Sequence, residues 1–314
     1  MSFDVASRGN RTARGFIVIA VLWILAALSA LVLIYLTYVT NTAVVVAGSA
    51  DRIQADALVT AGVELAAYQL TSVKEGQSTL VKEGQVPTSG AFNARVGAGK
   101  IAVTFRSEAA RVDLNAAPKS LLSGLMVALG AAPADAAAYA DHIFAWRSPT
   151  ELGEDDPENS FYRTSGVAYI PRHAPFPEAE ELWLVQGIPP FMIERMLPFV
   201  TVFSNLASIN ILDADPQVVA ALPGMTPENL QAVLAQRSDP TLDPQSVLGL
   251  VGEGATLAGS KAYRISIAVE FGSGRHSGAE VVILLLERGD EPYHVLSWRN
   301  ASDGSTAPQR APSR

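Results

Sequence analysis

Phe16 to Val39 is an unbroken run of 24 residues without a charged side chain, FIVIAVLWILAALSALVLIYLTYV. About 20 apolar residues carry a helix across the hydrocarbon core of a bilayer, where every backbone polar group must be satisfied within the chain. The run therefore sets a membrane-spanning helix as the first element. The 15 residues ahead of it are polar and basic, with Arg8, Arg11 and Arg14. Basic residues at one end of a span favour the cytoplasmic side, which sends the remaining chain outward. A cleavable signal peptide has an apolar core of only about 7–15 residues. The plain alternative is an uncleaved signal anchor.

The junction of leader and span, Gly15-Phe16, resembles a prepilin peptidase site, with cleavage after Gly15 and methylation of the amine of Phe16. The helical pattern continues past the membrane. Val59, Val63, Ala66, Ala67 and Leu70 recur at helical spacing, while Asp51, Arg52, Asp56 and Glu64 fall on other faces. One helix from Phe16 to about Leu70 is expected, apolar first and amphipathic later, with Gly48-Ser49 as a place for a bend. Such a helix is similar to the spindle of type IV pilin-like subunits. Most of those carry Glu at the fifth mature position, here Ala20. The resemblance implies that this Glu pairs with a neighbour's terminal amine, and an unpaired carboxylate at that depth is costly. Its lack marks the tip subunit.

Beyond the helix, residues 71–100 are punctuated by Gly, Ser, Pro and Lys and read as loop. Phe92–Val96 and Lys100–Arg106 alternate as strands, as do 263–271, 279–288 and 293–299. Gly272-Ser273-Gly274 and Gly289-Asp290-Glu291 supply turns between the last three. A small sheet of this kind can pack on the amphipathic half of the long helix. The tail from 301 is rich in Ser, Pro and Arg, a composition that favours disorder.

Between the strand blocks the pattern turns helical and contains an internal repeat. Val112-Asp113-Leu114-Asn115-Ala116-Ala117 aligns without gaps to Ile209-Asn210-Ile211-Leu212-Asp213-Ala214, and each copy is followed by Pro and a helical run. Polar residues there suit helix caps, and Pro suits a first turn. Apolar-x-Gly-apolar turns recur at Val185-Gln186-Gly187-Ile188 and Leu222-Pro223-Gly224-Met225, with a looser case at Leu129-Gly130-Ala131. These are helix-hairpin-helix-like signals.

The order of VDLNAAPKSLL, FAWRSPTELGEDD, APFPEAEELWLVQGI, MLPFVTVF and SINILDADPQVVAALPGM, behind the N-terminal helix, resembles the K-type minor pseudopilins of type II secretion systems over nearly the whole mature chain. The resemblance implies an α+β fold: a pilin-like long N-terminal helix packed on a small antiparallel sheet, with a large inserted all-α, helix-hairpin-helix-like (SAM-like) domain. It divides the chain into a leader (1–15), the membrane half (16–39) and amphipathic half (40–70) of the long helix, a first pilin-like part (71–107), the inserted helical domain (108–248), a second pilin-like part (249–300) and a tail (301–314). It also implies assembly in the inner membrane with the I-type and J-type minor pseudopilins, processing by prepilin peptidase, periplasmic domains, and a place at the pseudopilus tip. Ala145 stands before Trp146 where the family has Asp, and Leu212-Asp213 where it has Asn-Thr.

Helix-hairpin-helix units often grip DNA, so a membrane-anchored DNA-binding protein is the rival reading. Charge opposes it. From Glu108 to Asp243 there are eighteen acidic and seven basic side chains, a field that repels phosphate, and no nucleic-acid partner is expected. The densest acidic cluster is Glu151, Glu154, Asp155, Asp156 and Glu158. A loop with several carboxylates can supply the oxygen ligands calcium needs, although the spacing is not that of an EF-hand and a solvated acidic loop is the blander reading. The family resemblance implies calcium in this region, drawn from Glu154, Asp155, Asp156 and Glu158. No catalytic constellation stands out: His142, His173, His276 and His294 are dispersed, no phosphate loop or nucleophile elbow occurs, and the chain has no Cys. The reading is a non-enzymatic structural component. Trp146, Trp183 and Trp298 are expected as core or interface aromatics.

Overall fold

The computed structural model describes residues 12–72, 86–97, 99–149, 156–239, 243–271, 276–286 and 291–301. The chain divides into two compact units, Met1–Ala57 and Leu58–Arg314. The first helix, α1 (Thr12–Ser72), contributes to both. It starts ahead of Phe16, since Ala13 and Arg14 are good helix formers, and its backbone stays helical through Gly48 and Ser49. No break occurs there, because one glycine costs a helix only about 1 kcal/mol.

In the first unit, Ile17–Val39 forms a span of 23 residues with none of its apolar surface buried. At 1.5 Å per residue that is roughly 35 Å, enough for a hydrocarbon core of about 30 Å. Its two described hydroxyl bonds stay within the helix: Ser29 Oγ donates to the Leu25 carbonyl and Thr37 Oγ1 to that of Ile34, both at 2.8 Å. No polar group of these side chains then needs water inside a membrane.

The second unit has two cores. In one, α1 presents Leu58, Val59, Val63, Ala66, Ala67 and Leu70 to an antiparallel sheet. All five apolar positions expected from the helical spacing are buried there. The sheet contains β1 (Ser89–Val96), β2 (Gly99–Ser107), β7 (Ala262–Glu270), β8 (His276–Leu285) and β9 (Tyr293–Ala301), in the order β1-β2-β7-β8-β9. β2 alternates strictly between buried and exposed residues, with Ile101, Val103 and Phe105 facing α1 and Phe105 opposite Ile265 of β7.

The strands β2 and β7 are neighbours, yet residues 108–261 lie between them in sequence. Departure and return are tied together: Ser107 Oγ accepts from the Ser260 amide at 2.8 Å and lies 3.1 Å from Ser260 Oγ. The intervening chain folds around the second core. Its elements are β3 (Val112–Asp113), α2 (Lys119–Ala128), α3 (Pro133–Arg147), α4 (Pro157–Thr164), α5 (Pro190–Met196), β4 (Val200–Thr201), β5 (Ile209–Asn210), α6 (Pro216–Ala220), α7 (Pro227–Arg237), α8 (Pro244–Leu248) and β6 (Ala255–Thr256). β3 pairs with β4 and β5 with β6, both parallel. Leu250, Val251, Ala255 and Leu257 pack on this helical core, so it draws in residues past position 248. Of the stretch 71–100 expected as loop, Thr71 and Ser72 close α1 and β1 begins already at Ser89, while residues 73–85, like most of both C-terminal turns and the tail from 302, lie outside the described residues.

Candidate functional site

The repeat seen in the sequence is a repeated piece of geometry. In each copy a two-residue parallel strand ends in a turn closed by its own polar side chain. Asp113 Oδ1 accepts from the Asn115 amide at 2.8 Å, and Asn210 Oδ1 accepts from that of Leu212 at 2.9 Å. A helix, a glycine turn and a second helix follow, α2 and α3 in one copy and α6 and α7 in the other. Gly130 and Gly224 turn the chain with φ +99° and +75°, a region that side chains with a Cβ rarely enter. Gly187 makes a third such turn ahead of α5, with φ +87°.

Each second helix ends in an arginine that reaches back to the opening turn. Arg147 donates to the carbonyls of Leu114 and Ala117, and Arg237 to those of Ile211 and Ala214. Burial lowers the pKa of both guanidiniums from the ordinary arginine value. The arginines of the two copies are therefore spent on the chain's own carbonyls, which leaves them unsuited to hold phosphate.

Of the expected calcium ligands, Glu154 and Asp155 lie outside the described residues, as does Glu151. Asp156 caps α4, accepting from the Glu158 amide at 2.9 Å, and its other oxygen lies 3.2 Å from His173 Nε2. Glu158 Oε1 lies 2.8 Å from His142 Nδ1. The structure thus sets Asp156 and Glu158 two residues apart at the start of α4, each facing a different histidine. Among the described residues no group of three or more His, Asp or Glu is placed to hold a metal. The imidazole of His142 stacks on Phe161 with centroids 5.0 Å apart. Beneath this layer Trp146 is buried against Phe176 and Tyr162, and its Nε1 finds no acceptor among the described residues. Trp183 and Trp298 are instead partly exposed. The histidine pairs join residues 16 and 17 positions apart on different elements, a spacing with no sequence signature.

A third cluster joins the sheet to the helical segment. Glu108 is only 1% exposed. It receives Arg264 Nε at 2.7 Å and Nη2 at 3.1 Å, together with the Thr201 hydroxyl. Arg264 also donates to Glu280 on β8. Desolvation opposes the charge on Arg264, but Glu108 and Glu280 outweigh it and hold the guanidinium above its ordinary pKa. Sequence reading misses this cluster, because the two partners are separated by 156 residues.

The architecture defined so far is a long N-terminal helix, its first half apolar and long enough to cross a bilayer, and an antiparallel sheet with a helical segment folded between two of its neighbouring strands. Residues 103–205 match the family model described as Type II secretion system (T2SS), protein K. No protein of curated function matches the chain. Among solved structures the chain is similar to one in the GspK-GspI-GspJ complex from the enterotoxigenic Escherichia coli type 2 secretion system, at 19% identity, covering 81% of this chain and 98% of that one with a TM-score of 0.54. At that identity the likeness speaks for the fold, and the family match speaks for the segment.

Proposed function

We propose that the chain is a minor pseudopilin of the type II secretion system that forms or caps the pseudopilus tip in protein export across the outer membrane. The observation that carries this reading is the protein K match over 103–205. It runs from within β2 to just past β4, about two thirds of the helical segment, in a chain whose first helix is long and apolar enough to span a bilayer. The role is structural and non-enzymatic. The helical segment acts as a domain inserted in a pilin-like α/β domain, a reading supported by the adjacency of β2 and β7. Its bulk suits a subunit with no neighbour above it. The similar chain from Escherichia coli is part of a GspK-GspI-GspJ complex. By that likeness the I-type and J-type minor pseudopilins are the proposed partners, joined through the long helix in the inner membrane with the domains in the periplasm.

Processing by prepilin peptidase at Gly15-Phe16 gives the first test. Mass spectrometry of the protein purified from membranes is expected to find a mature N-terminus at methylated Phe16, and Gly15→Val is expected to leave the leader attached. A protein that still begins at Met1 in cells with an active prepilin peptidase would return the chain to the class of plain signal anchors.

Calcium is the proposed ligand of the acidic loop, through Glu154, Asp155, Asp156 and Glu158. Two carboxylates cannot by themselves fill the six to eight oxygen positions of this cation, and Asp156 and Glu158 face histidines. The described pair fits the ion only in part, so Glu154 and Asp155 must supply the remaining side-chain oxygens. A ligand that binds only the folded state raises the unfolding midpoint by mass action. Added calcium is expected to raise the midpoint and a chelator to lower it, with both responses lost in Asp156→Asn/Glu158→Gln. An unchanged midpoint and a flat calorimetric titration would remove calcium from the account.

A further inference from the structure

A cavity of about 600 Å³ opens between the helical segment and the last strand of the sheet. Two runs of consecutive residues border it, 200–203 from β4 onward and 296–299 in β9. Side chains alternate between the faces of a strand, so the run 296–299 borders the cavity from the edge of β9, and Glu280 on β8 and Arg264 on β7 extend its wall onto the sheet. β9 ends the five-stranded sheet, and among the described residues no strand pairs with its outer edge. β4 is paired on one side only, with β3. Unpaired strand edges offer rows of backbone donors and acceptors and invite another extended chain.

The charges on the walls narrow what that chain carries. Three guanidiniums line the cavity, those of Arg111, Arg264 and Arg299. Arg264 is held by Glu108 and Glu280, and Arg299 by Glu180. Glu178 also lines the cavity and is exposed to solvent. Arg111 is half-buried, and its guanidinium has no hydrogen-bonded acceptor among the described residues; desolvation, with Arg264 alongside, pulls its pKa down to about 10 although Glu108 and Glu280 act through space to raise it. Its side-chain donors are left for a carboxylate that enters the cavity. A guanidinium is a planar fork matched to two carboxylate oxygens. Phe203, Leu296 and Trp298 add apolar wall.

We propose that this cavity is a docking groove for an extended polypeptide segment bearing an acidic side chain, which runs along the outer edge of β9 and sets its carboxylate on Arg111. Main-chain pairing supplies affinity without regard to sequence, and Arg111 supplies the selection for Asp or Glu. The inference concerns this groove alone and does not depend on the secretion assignment.

The test presents the full chain in detergent micelles to a displayed library of randomised nonapeptides. Recovered peptides are expected to share one Asp or Glu flanked by β-branched or aromatic residues. The best of them, synthesised, is expected to lose about tenfold in affinity when its acidic residue becomes the amide, and to lose the same on Arg111→Gln. Lys100→Gln lies on β2, separated from β9 by two intervening strands, and is expected to change nothing. Trp298 is partly exposed, so Trp298→Ala keeps the fold and is expected to weaken binding. Should Arg111→Gln fail to fold, Trp298→Ala and the peptide's own amide variant decide the matter. Recovery without acidic enrichment, or equal binding of acid and amide peptides, would overturn the proposal. Displacement of the peptide by free succinate at equal affinity would also overturn it, since that result describes a small-anion site with no use for the strand edge.

Discussion

Replacing Arg264 with methionine is expected to cost about 3–5 kcal/mol of stability, the usual penalty for stripping one partner from a buried ion pair. The carboxyl of Glu108, 1% exposed, is then left among the described residues with only the Thr201 hydroxyl bonded to it. Arg111 carries the remaining nearby positive charge, and among the described residues its guanidinium makes no hydrogen bond to the Glu108 carboxylate. On a unit of this size the loss lowers the thermal midpoint by roughly 6–20 °C. Circular dichroism melts of the full chain in detergent micelles measure it. The double variant Glu108→Leu/Arg264→Met removes both charges of the more buried of the two pairs that Arg264 makes and is expected to recover much of the loss, because a buried pair is often no better than an apolar replacement. A cost below about 1 kcal/mol for the single change would mean that solvent reaches Glu108 as it does at a surface pair. The consequence reaches past stability. Glu108 follows β2 directly while Arg264 and Glu280 lie on β7 and β8, so the cluster fixes where the helical segment leaves the sheet, next to the cavity lined by Arg111.

Much of this molecule is legible along the chain, and the illegible parts share a cause. A membrane span announces itself by the absence of charge, and the α1 face by apolar residues three and four apart, of which Val59, Val63, Ala66, Ala67 and Leu70 are all buried. Both signals are local. The repeat is local too: six residues at a fixed offset predict the same strand, turn and helix twice. Its arginines escape that comparison because α6 has 5 residues where α2 has 10, so Arg147 and Arg237 no longer align without a gap. Extending the repeat by role instead of by offset, to the last basic residue after each glycine turn, would have found them. Glu108 with Arg264, His142 with Glu158 and His173 with Asp156 carry no such trace. Each pair is made by tertiary packing between elements whose separation no period encodes. The acidic loop is visible as composition, but composition says nothing of the two histidines that its carboxylates face.

Gly124→Ala is expected to destabilise the helical segment by roughly 3 kcal/mol, although the same change in an open helix would stabilise it by about 1 kcal/mol. The sign follows from what stands opposite. A Cβ at Gly124 would lie 2.1 Å from the carbonyl oxygen of Ala221 and 3.0 Å from its carbon. That oxygen is backbone, at the residue capping α6, and it cannot rotate away as a side chain could. Relief requires α2 and α6 to separate, and these are the first helices of the two repeat copies. Leu121, Leu122 and Leu125 on α2 and Val218 and Val219 on α6 are all buried in the shared core, so separation opens voids among residues with no exposed surface to lose. Gly252→Ala is the matched control. Its nearest neighbour, the Pro223 carbonyl oxygen, stands at 3.5 Å, an ordinary contact, and a change within about 0.5 kcal/mol is expected. Melts of both variants in the full chain read the contrast directly, with the Gly124 midpoint falling by about 6–12 °C and the Gly252 midpoint nearly fixed. A Gly124→Ala protein as stable as the parent would mean that the two repeat copies do not meet backbone to backbone, and the paired arrangement of α2 and α6 would have to be abandoned.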